Sequence, residues 1–366
     1  MAKIDNHYIP DNVSPPGETL EEILDERRMK QVEFAQRIGM SRKHLKQILD
    51  GNAPITPETA LKFERALGVP ARFWNNREQQ YRDFLARRDE AEALGRQIDW
   101  LKNFKHLNRM MRLRWLPEVK DRVDKLRSLL NFFGVSSPES WEKRYGELQV
   151  RYRRSQVKQT DTYALAAWLR QGEIKGQVLE CKPYNREAFQ RTLYEIRKLT
   201  QKKPKDFQSV LVSMCAACGV AVAFVPELPN TASGATRWLS PDKALIQLSL
   251  RYKADDHLWF TFFHEAGHIL LHPKKDIFIE GQPDDSAEED EANRFAARML
   301  IPDSAYHTFI TTHSLFSVAA IRRFATEQGI APGIVVGRLQ HDGCISYTKL
   351  NGLKKKFEWR IQESDE

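Results

Sequence analysis

The sequence predicts a multidomain, mainly α-helical protein whose C-terminal part is α+β. Three observations predict it. The chain of 366 residues exceeds one ordinary small domain, so two or three are expected. Up to about residue 206, apolar residues recur at helical spacing between capping residues, glycines and prolines. After Phe207, short apolar runs of strand type alternate with helical stretches. The expected organisation is an N-terminal helical bundle over 1–90, a basic helical linker or spacer over 91–206, a mixed domain over 207–345 and a charged C-terminal tail over 346–366.

Composition narrows the class. The apolar fraction of 41% is enough for packed cores. No apolar run reaches the roughly 20 residues that a membrane helix needs, so no membrane association is expected. The stretch "MAKIDNHYIPDN" has no apolar segment of signal-peptide type. The four cysteines, Cys181, Cys215, Cys218 and Cys344, show no disulfide spacing, and a reducing cytoplasm is the expected location. The net charge of +8 is uneven. Residues 1–90 hold 15 basic and 15 acidic residues, 91–206 hold 26 and 14, and 207–366 hold 16 and 20. The basic middle suits a solvated helical surface, or a surface that meets nucleic acid or an acidic partner.

In the first 90 residues the punctuation is clear. "PPGETLEEILDERRM" starts a helix with Pro and Gly ahead of Thr19 and acidic residues in its first turn. A second helix spans about Gln31 to Ile38, and Gly39 suits the left-handed residue at its end. Ser41 is an N-cap for a third helix that ends near Asp50-Gly51. Thr56 or Pro57 begins a fourth, which stops at "LGVP", and a fifth starts at Ala71. The Gln31–Leu49 spacing fits a helix-turn-helix. Ala35 is small where two helices meet, and Leu45, Ile48 and Leu49 anchor the third helix. Arg42, Lys43, Lys46 and Gln47 then face outward. Such a helix enters the major groove, where Arg and Lys donate to guanine or phosphate and Gln pairs with adenine.

These residues resemble the Xre/Cro-type repressors, and "PGETLEEILDERRMKQVEFAQRIGMSRKHLKQILDGNAPITPETALKFERALGVPARFWNN" is similar to the HigA-type antitoxin branch. The resemblance covers about residues 14–90. It implies binding to double-stranded operator DNA and a homodimer. A second stretch, "FATEQGIAPGIVVGRL", lays Phe324, Ala325 and Gly329 on Phe34, Ala35 and Gly39. It places Pro332, Gly333 and Val336 where Arg42, Lys43 and Lys46 stand, so it is read as a packed helix pair.

From 207 onward "DFQSVLVSMCAACG" reads as a helix and "VAVAFVP", "GATRWLS" and "KALIQLSLR" as strands. The CxxC of Cys215 and Cys218 has no second pair at metal spacing and is read as buried apolar packing. Next comes "FTFFHEAGHILLH", Phe260 to His272. His264 and His268, four apart, share a helix face and can meet one Zn²⁺. Glu265 sits beside them, placed to act on water rather than on the metal. A third ligand is still needed. The spacing HExxHxxGxxH fails, because Leu271 and Lys274 occupy its last two positions. His272 reads as a surface histidine or one that supports a ligand. In "EEDEANRFAARMLIP", Glu289 shares a helix face with Ala292, Ala296 and Met299, and Asn293 lies four residues on. Glu289 is the preferred third ligand, with Asn293 buttressing a ligand histidine through its free ring nitrogen; Glu288 and Glu291 are the alternatives.

Together these segments resemble the ImmA/IrrE family of zinc metallopeptidases over about residues 207–345. The resemblance implies a gluzincin-like domain in which a small sheet packs on the HExxH helix. It also implies proteolysis of repressor-type proteins. Three protein ligands leave Zn²⁺ an open position for water, whose pKa falls from about 15.7 to about 7. Glu265 would then be the general base, passing the proton to the leaving amine. Arg237, Tyr306 and His307 are candidate oxyanion donors, and the "SGATRW" strand is a candidate to pair with substrate backbone. The expected protein is a DNA-binding regulator with a zinc-dependent endopeptidase domain, cleaving a repressor or a toxin–antitoxin partner. The alternative is a non-proteolytic HigA-like antitoxin or repressor whose zinc domain binds a toxin or senses a signal.

Overall fold

The computed structural model describes residues 13–154, 161–274, 278–279, 286–313 and 315–359. It divides into two compact units, residues 1–99 and 100–366.

The first unit is a helical bundle. Its helices are α1 (Pro16–Glu26), α2 (Gln31–Arg37), α3 (Arg42–Leu49), α4 (Pro57–Leu67) and α5 (Ala71–Arg96). Local chemistry sets their ends. Gly39, at φ +61°, makes the turn between α2 and α3, which a side chain would disfavour. The Ser41 hydroxyl accepts from the His44 N–H at the start of α3, and Thr56 accepts from the Thr59 N–H at the start of α4. The bundle closes on Leu20, Phe34, Leu45, Ile48, Phe63 and Trp74, all buried. Phe63 meets Trp74 edge-on with ring centroids 5.3 Å apart. The Arg77 guanidinium on α5 donates to Ser14 and Thr19, tying the long helix to the start of α1.

The second unit begins with α6 (Leu107–Arg112), α7 (Arg122–Phe133), α8 (Pro138–Arg154), α9 (Thr162–Val178), α10 (Arg186–Lys198) and α11 (Pro204–Ala216). The strands β1 (Val220–Phe224), β2 (Gly234–Ser240) and β3 (Lys243–Leu248) follow, then α12 (Asp255–Leu271), β4 (Phe278–Ile279) and α13 (Ser286–Leu300). It ends with α14 (Asp303–Thr312), α15 (Val318–Gln328) and α16 (Pro332–His341). The sheet order is β1-β3-β2-β4. β1 runs parallel to β3, and β2 is antiparallel to both β3 and β4.

Strand alternation sorts side chains to two faces. Val220, Val222, Ile246 and Leu248 pack in one cluster with Leu258, Phe262, Phe263 and Ala266 of α12. Ala221, Ala223, Ala235 and Leu245 pack in another with Leu165, Trp168 and Leu169 of α9. The sheet therefore separates α12 from α9. Helix α12 is buried on nearly every side, enclosed by the sheet, α13 and α16.

The segment expected as a linker or spacer is built into this unit. α9 covers one sheet face, and Phe189, Leu193 and Ile196 of α10 lie in the main core. In α10, Arg186, Arg191 and Lys198 are exposed while Phe189, Leu193 and Ile196 are buried, so the charge count hides the apolar side. The C-terminal segment expected as a charged tail is also held. Phe357 is buried against the Phe207 ring, and Lys354 Nζ lies 2.6 Å from the buried Asp256 carboxylate. The Asp255 N–H donates to the Lys355 carbonyl at the start of α12. The helices α15 and α16 pack into the same core through Ile321, Phe324, Val335 and Val336. The polar stretch Pro273 to Ala287 lies largely outside the described residues, as do residues 1–12 and 360–366.

Candidate metal centre and nucleic-acid interface

Helical rotation of about 100° per residue directs neighbours on α12 to different surroundings. His264 and His268 lie one turn apart and face α13, with Nε2 atoms 3.0 Å from each other. Ala292 and Ala296 are fully buried, so α13 packs close enough for Glu289 to reach them. Its carboxylate oxygens stand 3.3 Å from His264 Nε2 and 3.4 Å from His268 Nε2. One donor atom from each of these three residues lies within 4.8 Å of the others.

The electrostatics suit a cation. Burial is the largest influence on His268 and holds its imidazole below the usual histidine range. Burial opposes the charge on Glu289, but hydrogen bonds and charge from the two imidazoles outweigh it and bring the carboxyl down to about 2. Two imidazole nitrogens and one carboxylate are an ordinary zinc donor set that leaves a coordination position open.

The other ring nitrogens are engaged. His264 Nδ1 lies 2.9 Å from Asn293 Oδ1. An amide carbonyl only accepts, so this contact suits a His264 that carries a proton on Nδ1 and would bind a cation through Nε2. His268 Nδ1 lies 2.9 Å from His272 Nδ1, and His272 Nε2 lies 3.4 Å from a Glu291 oxygen. Glu291, weighed from the sequence as a possible metal ligand, stands beside His272, while Glu288 is half-buried on α13. The sequence reading missed the His272–Glu291 contact. The recurrence of histidine at 264, 268 and 272 was the available signal for half of it.

Glu265 packs against β2. Its carboxylate is fully buried and lies against Gly234 of β2, where a Cβ would come within 2.5 Å of Oε1. The Thr236 hydroxyl donates to the Glu265 carbonyl at 3.1 Å. β2 thus fixes both the backbone and the side chain of Glu265. Arg237, considered as an oxyanion donor, projects to the opposite sheet face, where it pairs with Glu173 of α9 at 3.2 Å. The Tyr306 ring lies under the Arg338 guanidinium at 4.4 Å, and His307 is exposed on α14. Cys215 is buried at the end of α11 and Cys218 in the turn beyond it.

In the first unit, α3 buries Leu45, Ile48 and Leu49 and exposes Arg42, Lys43, Lys46 and Gln47. Lys46 Nζ lies 2.8 Å from Asp50, one turn on. The α3 N-terminus, where a recognition helix meets base edges, therefore presents Arg42 and Lys43.

Comparison with known proteins agrees with this division. Residues 20–74 match the family model of a helix-turn-helix, and residues 220–339 match that of the IrrE N-terminal-like domain, Peptidase_M78. The chain therefore carries a helix-turn-helix domain of Xre/Cro type and an IrrE/ImmA-like domain. Over 61 residues it is 33% identical to the uncharacterized HTH-type transcriptional regulator YddM of Escherichia coli strain K12. That alignment takes in 17% of this chain and 65% of the relative's length. Two solved structures align with 23% of this chain, each at a TM-score of 0.22. One is described as an antidote protein of a plasmid maintenance system from Nostoc punctiforme, with 28% identity over 91% of its length. The other is an addiction module antidote protein of a HigA family from Coxiella burnetii, with 26% identity over 94% of its length. Among the described residues no helix is long and apolar enough to cross a membrane.

Proposed function

We propose that this protein is a cytoplasmic, homodimeric DNA-binding regulator whose second unit is a zinc-dependent endopeptidase acting on a repressor or toxin–antitoxin partner. The convergence of His264, His268 and Glu289, with Glu265 fixed beside them by β2, carries the reading. His264, His268 and Glu289 would hold the ion. Bound zinc would supply Lewis acidity to water and to a peptide carbonyl.

The chain's own groups account for the rest. Asn293 would hold His264 with Nε2 toward the ligand cluster. Glu265, next to His264 on α12, would act as the general base, taking a proton from the attacking water and delivering it to the leaving amine. The helix-turn-helix would bring the peptidase to operator DNA through Arg42, Lys43, Lys46 and Gln47.

Glu265→Gln tests the catalytic half. The variant should keep its zinc and lose about 10²–10⁴-fold in cleavage of a repressor-type partner protein. Undiminished cleavage would refute the peptidase reading. A zinc-loaded wild type that binds the partner and never cuts it would establish the non-proteolytic antitoxin or repressor instead.

A further inference from the structure

We infer that the cavity between α12, α13 and α16 is a binding site for a small neutral molecule that carries an amide-type N–H and C=O beside an apolar body. The inference goes beyond the metal reading and does not need zinc in place.

The cavity measures about 680 Å³, inside the range of about 300–1,000 Å³ that small-molecule sites occupy. Phe260, Leu300, Ile301 and Ile334 give it an apolar lining. Tyr252 and His257, both exposed, line it as well and stack on each other with ring centroids 4.3 Å apart. Among the described residues that line it, none is His264, Glu265, His268 or Glu289. Asn293 and Phe260 belong to its wall and touch His264, the first at 2.9 Å and the second by ring stacking at 6.3 Å between centroids. The cavity is therefore a recess beside the metal centre and not the space that the metal-binding atoms face.

Two polar groups of the wall are incomplete. Asp256 is 7% exposed, and its Oδ1 meets no hydrogen-bond partner. Arg338 Nη1 is likewise shielded from water and unpartnered. Gly337 lets α16 pass close to Asp256, since a Cβ there would lie 2.5 Å from Asp256 Oδ2, and Arg338 follows it directly. A buried donor or acceptor left unmet costs free energy, and an occupant that supplies its partner recovers that cost.

The charges of the two groups are already balanced. Asp256 Oδ2 lies 2.6 Å from Lys354 Nζ, and Arg338 Nε donates to Asp342 at 2.7 Å. A full charge on the ligand would enter a shielded place without a counter-ion, which is costly. What the wall lacks is one N–H for Asp256 and one oxygen for Arg338. A neutral amide supplies both. Peptide fragments and lactam-type nucleobases share this chemistry, and the test carries a probe of each kind.

The test is calorimetric titration of the full chain with N-acetylphenylalanine amide, with uridine, and with N-acetylphenylalanine as the charged counterpart of the first. At least one neutral probe should bind with a Kd on the order of 1 mM or tighter, as about 15 non-hydrogen atoms give at ordinary ligand efficiency. Binding of the capped amino acid alone points to a peptide source, binding of uridine alone to a nucleobase, and binding of both to the shared amide. The charged counterpart should bind about 10-fold more weakly than the amide where the amide binds. Ala297→Trp fills the cavity from α13, and Arg338→Met removes the unpartnered donor; each should weaken binding about 10-fold or more. Arg298→Met, at an exposed position of α13, should change affinity less than about twofold. Arg338→Met stands in where Ala297→Trp does not fold. No binding of either neutral probe at about 10 mM, equal binding of the charged counterpart, or unchanged affinity in a folded Ala297→Trp or Arg338→Met would overturn the site.

Discussion

Gly234 leaves the space that Glu265 fills. A Cβ at this position would lie 2.5 Å from Glu265 Oε1 and 2.4 Å from Thr261 Cγ2. The first residue of β2 and the candidate general base on α12 are therefore sterically coupled across the interface between sheet and helix.

Gly234→Ala should displace the Glu265 carboxylate, because backbone hydrogen bonds hold β2 more firmly than packing holds a side chain. The expected outcome is a stability loss of about 1–3 kcal/mol from overpacking. Proteolysis should fall sharply while zinc content stays the same. Calorimetry, metal analysis and a cleavage assay on one preparation separate these effects, and a fully active variant would show that Glu265 needs no such accommodation.

Asn293 should matter through His264 alone. Asn293→Ala removes the acceptor 2.9 Å from His264 Nδ1 and should weaken zinc binding about 10–100-fold. Asn293→Asp keeps an acceptor and should lose much less. Chelator competition checks both.

The DNA-binding half makes its own prediction. Arg42 and Lys46 are exposed on α3, and net charge over residues 1–90 is zero, so affinity must come from locally placed cations. Arg42→Ala with Lys46→Ala should weaken operator binding. For each phosphate that the variant no longer neutralises, the slope of log affinity against log salt should become shallower by about 1. Titrations at several salt concentrations measure it, and an unaltered slope would place the DNA-binding cations elsewhere.

A pH dependence follows from the start of α12. Burial, and next the charge of Asp256, raise the Asp255 carboxyl to about 6. The folded state thus binds this proton more tightly than the unfolded chain does. The second unit should lose stability from this group as pH rises from about 4 to about 6, by at most about 3 kcal/mol. Asp255→Asn removes the ionisation. Its melting temperature should match the wild type near pH 4 and exceed it above pH 6. Parallel curves across that range would contradict the assignment.

Much of the site was legible because it depends on helical phase. Two histidines four apart must share a face, and the phase of Glu289 with Ala292, Ala296 and Met299 selected it over its acidic neighbours. The exposed residues of α3 followed from the same periodicity. The His272–Glu291 contact was not legible, because it depends on where α12 unwinds and how far α13 sits from that end. Arg237 was misread because strand direction alone does not say which sheet face α12 covers. The helices α9 and α10 read as a spacer because the charge of 91–206 drew attention from apolar runs such as "YALAAWL". The contacts of Phe357 and Lys354 bridge distant parts of the chain, and no local pattern announces them.

The central claim is that His264, His268 and Glu289 bind one zinc ion. Elemental analysis of the purified chain, with Glu289→Ala and Glu288→Ala beside it, tests this most directly. The account predicts about one zinc per chain in the wild type and in Glu288→Ala, and little or none in Glu289→Ala after dialysis against a weak chelator. Retention of a full equivalent of zinc in Glu289→Ala, or its absence from the wild type, would contradict it.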